Sequence, residues 1–150
     1  MAAIRVAGLG KGEYLFRKEG VDTAISVQAS ASCTGGKPLP SPTDLVGAAL
    51  GTCMLAVMES MLERSGYDTA AFSLDIEKEM ADSPRRIAGF SVKIRPPCML
   101  DVSLQRKLER AAGLCPVTRS LGPDVKIHVI WEQPDGRAKN ESDPVEGLQL

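Results

Sequence analysis

The side chains with chemistry to offer are four thiols, Cys33, Cys53, Cys98 and Cys115, beside a single histidine, His128. No two cysteines are spaced as C-x-x-C, and one histidine among scattered cysteines does not make a Cys/His zinc site, so no metal is expected. Four cysteines in 150 residues are also too few for a secreted disulfide scaffold. In a reducing compartment such residues are buried small hydrophobes, unless their surroundings make them reactive. Two of them sit in surroundings that bear on reactivity. Cys53 lies in the uncharged run Leu45 to Met58, where burial alone raises a thiol pKa and makes it inert. Cys115 directly precedes Pro116, which places it at the positive end of a proline-started helix, near free backbone N–H groups. From residue types alone both readings stand: packing residues, or a reactive pair whose cationic partner comes from elsewhere in the fold.

The element that must position Cys53 begins at Ser41. Ser41 is suited to cap a helix, Pro42 sits at the first helical position, and Asp44 three residues on completes a shortened capping box. Gly66 is a natural stop in the left-handed conformation. The helix is expected to run about 24 residues, roughly 36 Å. Gly47, Ala48, Ala49 and Gly51 crowd one side of it, and a helix apolar all round is expected to be buried on all sides. Its length suggests packing against more than one layer or a second subunit.

Around it the patterning is of strands. Ile4 to Ala7 and Tyr14 to Arg17 flank the Gly-rich Gly8–Gly12, and Thr23, Ile25, Val27 and Ala29 alternate with polar or smaller residues. Gly8-x-Gly10-x-Gly12 lacks the strand–helix setting of a dinucleotide loop and reads as a hairpin turn. Ser30 to Pro40 is a loop. Phe72, Leu74 and Ile76, then Ala88, Phe90, Val92 and Ile94, alternate around the turn at Ala81–Arg85, which predicts a hairpin with one wet face. Ser103 is positioned to cap a second helix that Gly113 ends. A short helix follows from Cys115-Pro116, and Val125, Ile127, Val129 and Trp131 form a last strand, with His128 on its outer face. Met54, Met58 and Met61 recur at helical spacing and read as core. Cys33 in a loop and Cys98 after Pro96-Pro97 read as incidental. From Gln133 the chain turns polar without periodicity. One domain over residues 1–132 and a disordered tail over 133–150 are expected, in an α+β fold of mainly antiparallel strands.

The formal net charge of −1 with dispersed Lys and Arg gives no reason to expect a nucleic-acid or polybasic membrane surface. No cationic segment leads into an apolar run at the start, and the uncharged part of the long helix is shorter than the roughly 20 residues a bilayer span needs. A cytoplasmic location is the expectation.

Pro-Ser-Pro-Thr-Asp-Leu-Val-Gly-Ala-Ala-Leu-Gly-Thr-Cys (Pro40 to Cys53), followed about sixty residues later by Leu-Cys-Pro-Val-Thr-Arg-Ser-Leu (Leu114 to Leu121), resembles the osmotically inducible protein C (OsmC) and organic hydroperoxide resistance (Ohr) superfamily. The order of elements from about residue 3 to 132 matches as well. The resemblance implies an OsmC-like fold, an intertwined homodimer with sites at the subunit interface, and thiol-dependent reduction of organic hydroperoxides. Cys53 matches the peroxidatic cysteine and Cys115 the resolving one. A Cys53 thiolate would attack the peroxide and become a sulfenic acid, and Cys115 would condense with it to a disulfide. An external dithiol, a lipoyl group at family level, would reduce that disulfide, so no bound cofactor is expected. Leu50, Met54, Val57 and Met58 are expected to wall the peroxide site. The family glutamate ten residues before the peroxidatic cysteine is replaced by Thr43, and the family's early arginine has Arg5, Arg17 and Lys11 as candidates. The alternative is an OsmC-like protein that binds a small apolar or electrophilic ligand at the dimer interface without peroxidase activity.

Overall fold

The computed structural model describes residues 3–29, 38–67, 69, 72–132 and 134. Cys33, most of the expected loop at 30–40, and nearly all of the expected tail lie outside them. The chain divides into two units, Met1–Val46 and Gly47–Leu150. The long helix α1 (Pro42–Arg64) starts in the first and continues through the second.

The first unit is an antiparallel sheet of β1 (Ile4–Gly10), β2 (Glu13–Lys18) and β3 (Ala24–Gln28) in sequence order. The β1–β2 connection is tight because Gly10, Lys11 and Gly12 all take positive φ (89°, 50° and 76°), which glycine adopts without strain. Register puts Val6 opposite Phe16 and Phe16 opposite Ile25, with Tyr14 opposite Val27. Alternation therefore gathers apolar side chains on one face. Much of that face is open: Ile4 is 67% exposed and Val6 64%. At the start of α1 the expected capping box forms. The Asp44 backbone N–H donates to Ser41 Oγ at 3.2 Å, and the Ser41 N–H donates back to Asp44 Oδ2 at 2.7 Å.

The second unit carries the rest of α1, the hairpin β4 (Ser73–Asp82) and β5 (Arg85–Arg95), the helices α2 (Val102–Gly113) and α3 (Pro116–Ser120), and β6 (Lys126–Trp131). α1 ends as expected at Gly66 (φ 79°), with Gly66 N–H on Glu63 O and Tyr67 N–H on Leu62 O. Phe90, Val92 and Ile94 of β5 are fully buried, along with Leu50, Met54, Met58 and Leu62 of α1. The helix lies close to the sheet because its contact positions have no side chains. A Cβ on Gly47 would come 3.2 Å from Phe90 Cε1, and one on Gly51 2.7 Å from Leu74 Cδ1. Among the described residues, every buried side-chain nitrogen or oxygen has a hydrogen-bond partner.

Four expectations change. The sheet is not antiparallel throughout: β5 pairs antiparallel with β4 but parallel with β6, from Gly89↔Lys126 to Ile94↔Trp131. The reason is the connection, since α2 and α3 form the long crossover that parallel strands require. Second, α1 is not buried all round. Gly47 and Gly51 face the sheet, whereas Ala48, Ala49, Thr52 and Ala56 are exposed, so the small residues fall on two sides rather than one. Third, Asp101 rather than Ser103 caps α2, its carboxylate accepting from Leu104 N–H at 2.9 Å, and Gly113 is the last helical residue ahead of the C-cap Leu114. Fourth, taken whole, α1 reaches the length and apolarity of a membrane span, which its uncharged stretch alone does not. Its Gly47–Leu62 face is instead packed within its own unit.

Candidate active site

Cys115 is the N-cap of α3. Its backbone is extended (φ −62°, ψ 147°), Pro116 follows at the first helical position, and its sulfur accepts the Thr118 N–H at 3.3 Å. The side chain has no solvent exposure. Thr118 is 1% exposed, and its hydroxyl lies 3.0 Å from Cys115 Sγ and 3.4 Å from Ala112 O.

Cys53 sits on the flank of the buried face of α1, half-buried, and its thiol lies near enough to that of Cys115 for the two to act on each other. Sixty-two positions apart in the chain, the two thiols are neighbours, and both are free rather than linked. Burial pushes the Cys53 thiol above its ordinary pKa. The Val117 backbone N–H pulls it down, and the neighbouring Cys115 thiol pushes it up again. Val117 and Thr118 are consecutive in the first turn of α3, so the amide that lowers the Cys53 pKa is next to the one that donates to Cys115 Sγ. The dithiol pair has the form of a redox site, with one thiol reachable from solvent and the other enclosed.

Each remaining candidate has its own setting. Cys98 is half-buried in the β5–α2 connection, and His128 is exposed on β6. Arg5, Arg17 and Lys11 belong to the β1–β2 hairpin of the other unit. Thr43 lies in the first turn of α1, its hydroxyl 3.0 Å from Ser41 Oγ, and Asp44 serves the cap. Leu50, Met54 and Met58 do not form an open wall, because they fill the core with no exposure; of the four residues expected there, only Val57 is half-exposed. Two features had gone unread in the sequence. One is Thr118, whose signal was the three-residue spacing from a capping cysteine. The other is Glu109 on α2, buried and accepting a hydrogen bond from Trp131 Nε1, for which pattern offered no signal.

The comparisons with known proteins agree with this fold. The family model for OsmC-like protein matches residues 34–129, and the chain belongs to that family. Among solved structures, a candidate osmotic stress induced and detoxification response protein from Psychrobacter arcticus 273-4 is 27% identical with a TM-score of 0.82, over 88% of this chain and 96% of that one. An organic hydroperoxide resistance protein OsmC from Legionella pneumophila is 12% identical with a TM-score of 0.69, over 87% and 96%. The organic hydroperoxide resistance protein OhrB of Bacillus subtilis is 15% identical with a TM-score of 0.63, over 88% and 98%. At these last two identities the likeness is one of fold. No curated protein matches the chain.

Proposed function

We propose that the protein is a thiol-dependent peroxidase that reduces organic hydroperoxides, with Cys53 as the attacking thiol and Cys115 as the resolving one. The observation that carries this reading is the proximity of two free thiols on separate elements. A sulfenic acid on one then has its partner close by, so condensation is an intramolecular step. The division of labour follows from access, since Cys53 is half-buried and Cys115 fully enclosed. The Cys53 thiolate attacks the distal peroxide oxygen, the alcohol leaves, and the sulfenic acid condenses with Cys115, releasing water. An external small dithiol returns the disulfide to two thiols by exchange, and the chemistry is expected in the cytoplasm. The hydroperoxide resistance named for the Legionella and Bacillus proteins supports the substrate class.

A Cys53 thiol with a raised pKa calls for a positive charge to complete its activation, and among the described residues the groups that shift it include no arginine or lysine. We assign that completion to a homodimer. The same raised pKa favours a second reading, in which a largely protonated Cys53 marks a site for a small apolar or electrophilic ligand.

Reaction of the reduced protein with one equivalent of cumene hydroperoxide separates the two. The peroxidase reading expects rapid loss of two thiols, a Cys53–Cys115 link by mass spectrometry, and a sulfenic acid trapped at Cys53 in Cys115→Ser. Thiol loss no faster than that of a free thiol, with no such link, would leave the ligand-binding reading in its place.

A further inference from the structure

We propose that Thr118 is a positioning residue that presents Cys115 to the oxidised Cys53, a role that rests on the peroxidase reading above. The Thr118 hydroxyl has two acceptors within reach, Cys115 Sγ at 3.0 Å and Ala112 O at 3.4 Å. The fold does not require it at either. Ala112 O already receives the backbone N–H of Cys115 at 3.1 Å, and the Leu114 N–H also points there. The α3 cap is made by the Thr118 backbone N–H, not by its side chain. A hydroxyl 1% exposed costs free energy to bury unless its hydrogen bonds are used.

What the arrangement supplies is a donor that changes direction. While Cys115 is a thiol, the hydroxyl gives its proton to Ala112 O. When Cys115 loses its proton, the hydroxyl turns to the sulfur and joins the Thr118 N–H as a second donor to a negative acceptor, the stronger kind of hydrogen bond. Both donors come from Thr118, and Cys53 is near enough to the same sulfur to act on it. A lone pair of the Cys115 thiolate attacks the Cys53 sulfenic sulfur, the S–S bond forms and the S–O bond breaks. The departing hydroxide takes up one proton, equivalent to the one Cys115 gave up, and leaves as water. The disulfide sulfur carries no charge, and the hydroxyl returns to Ala112 O.

Two pairs differing only in this hydroxyl test the role: the unmodified chain against Thr118→Val, and Thr118→Ser against Thr118→Ala. Each protein is treated with cumene hydroperoxide in the presence of dimedone, and intact mass gives the ratio of trapped Cys53 sulfenic acid to Cys53–Cys115 disulfide. The ratio is expected to rise about tenfold in the member of each pair that lacks the hydroxyl, the size of one lost charge-assisted hydrogen bond. It should fall back in Thr118→Ser. A hydroxyl needed only for folding would lower the thermal midpoint and leave the ratio unmoved. A second arm uses diamide, which oxidises one thiol to an adduct that the other displaces, with both hydrogens passing to the reagent. If the hydroperoxide leaves Cys53 of the unmodified chain untouched, the peroxidase reading falls and the diamide arm decides Thr118 alone: slower closure without the hydroxyl upholds it. Equal closure within both pairs overturns it. Should Thr118→Val not fold, the Ser/Ala pair decides the same question.

Discussion

Glu109 shows what one buried carboxyl does to this protein. It is 9% exposed and accepts a hydrogen bond from Trp131 Nε1, whose ring stacks on Phe72 at 6.5 Å. Burial holds its pKa above the ordinary carboxylate value, against smaller downward contributions from Trp131 and Arg106. The folded state therefore binds this proton more tightly than the unfolded chain. Its contribution to stability is full below the unfolded pKa of about 4.3 and declines as pH rises through the folded value. Glu109→Gln keeps an oxygen acceptor for Trp131 and removes that decline, so its thermal midpoint should exceed the parent's at neutral pH and converge with it in acid. Trp131→Phe keeps a stacking ring but strands the carboxyl, and should cost about 1–3 kcal/mol in urea unfolding. Asp75 works in the opposite sense: its pKa is lowered by Arg95, so what it contributes is lost as pH falls. At Cys53 the raised pKa predicts alkylation that climbs about tenfold per pH unit beyond neutrality. A plateau already near pH 6 would point to a cation that activates it in solution.

At the scale of elements, two glycines set how closely neighbours approach, and they differ in what yields. A Cβ at Gly51 meets the side-chain ends of Leu74 and Ile76, which can rotate, and alanine there also raises helix propensity by nearly 1 kcal/mol. A Cβ at Gly89 comes 2.6 Å from the Lys126 carbonyl oxygen, backbone that is itself in the β5–β6 pairing. Gly89→Ala is expected to cost about 3 kcal/mol and Gly51→Ala no more than about 1, both by chemical denaturation. A reversal of that order would mean that α1 and not β6 is the less yielding neighbour of its glycine. The caps are the other local devices: Asp101→Ala should cost about 1 kcal/mol and fray the first turn of α2, visible as faster amide exchange at Leu104. Legibility at this scale was high because the signals are local. Ser41 with Asp44, Gly66, and Cys115 with Pro116 act over one turn, and one turn is what spacing reveals. Asp101 was missed in favour of Ser103 because both are capping residues, and the backbone at 101 decided between them.

For the whole molecule, apolar surface left open by a single chain argues for a partner. Ile4 and Val6 on the first sheet, and Ala48, Ala49 and Ala56 along α1, are exposed. Exposed apolar side chains on each unit are what an interaction surface offers. With the homodimer we propose, light scattering at micromolar concentration should give twice the 16.0 kDa chain mass, and Val6→Lys should shift the equilibrium toward monomer. A chain that stays monomeric at that concentration would sink the homodimer and, with it, the source of charge proposed for Cys53.

By itself the sequence determined the elements: alternation marked the β4–β5 hairpin, caps and a glycine stop bounded α1, and Cys115-Pro116 announced α3. These follow from backbone geometry within a few residues, so residue type and spacing carry them. Only the tertiary structure decided that β6 runs parallel to β5, that the sheet takes the Gly47–Gly51 side of α1, and that Trp131 reaches Glu109. It set Cys53 near Cys115, the pair that the family resemblance implied, and placed Thr118 beside the second sulfur. These depend on which faces are left to bury and how crossovers return, sums over the whole chain that no local spacing encodes.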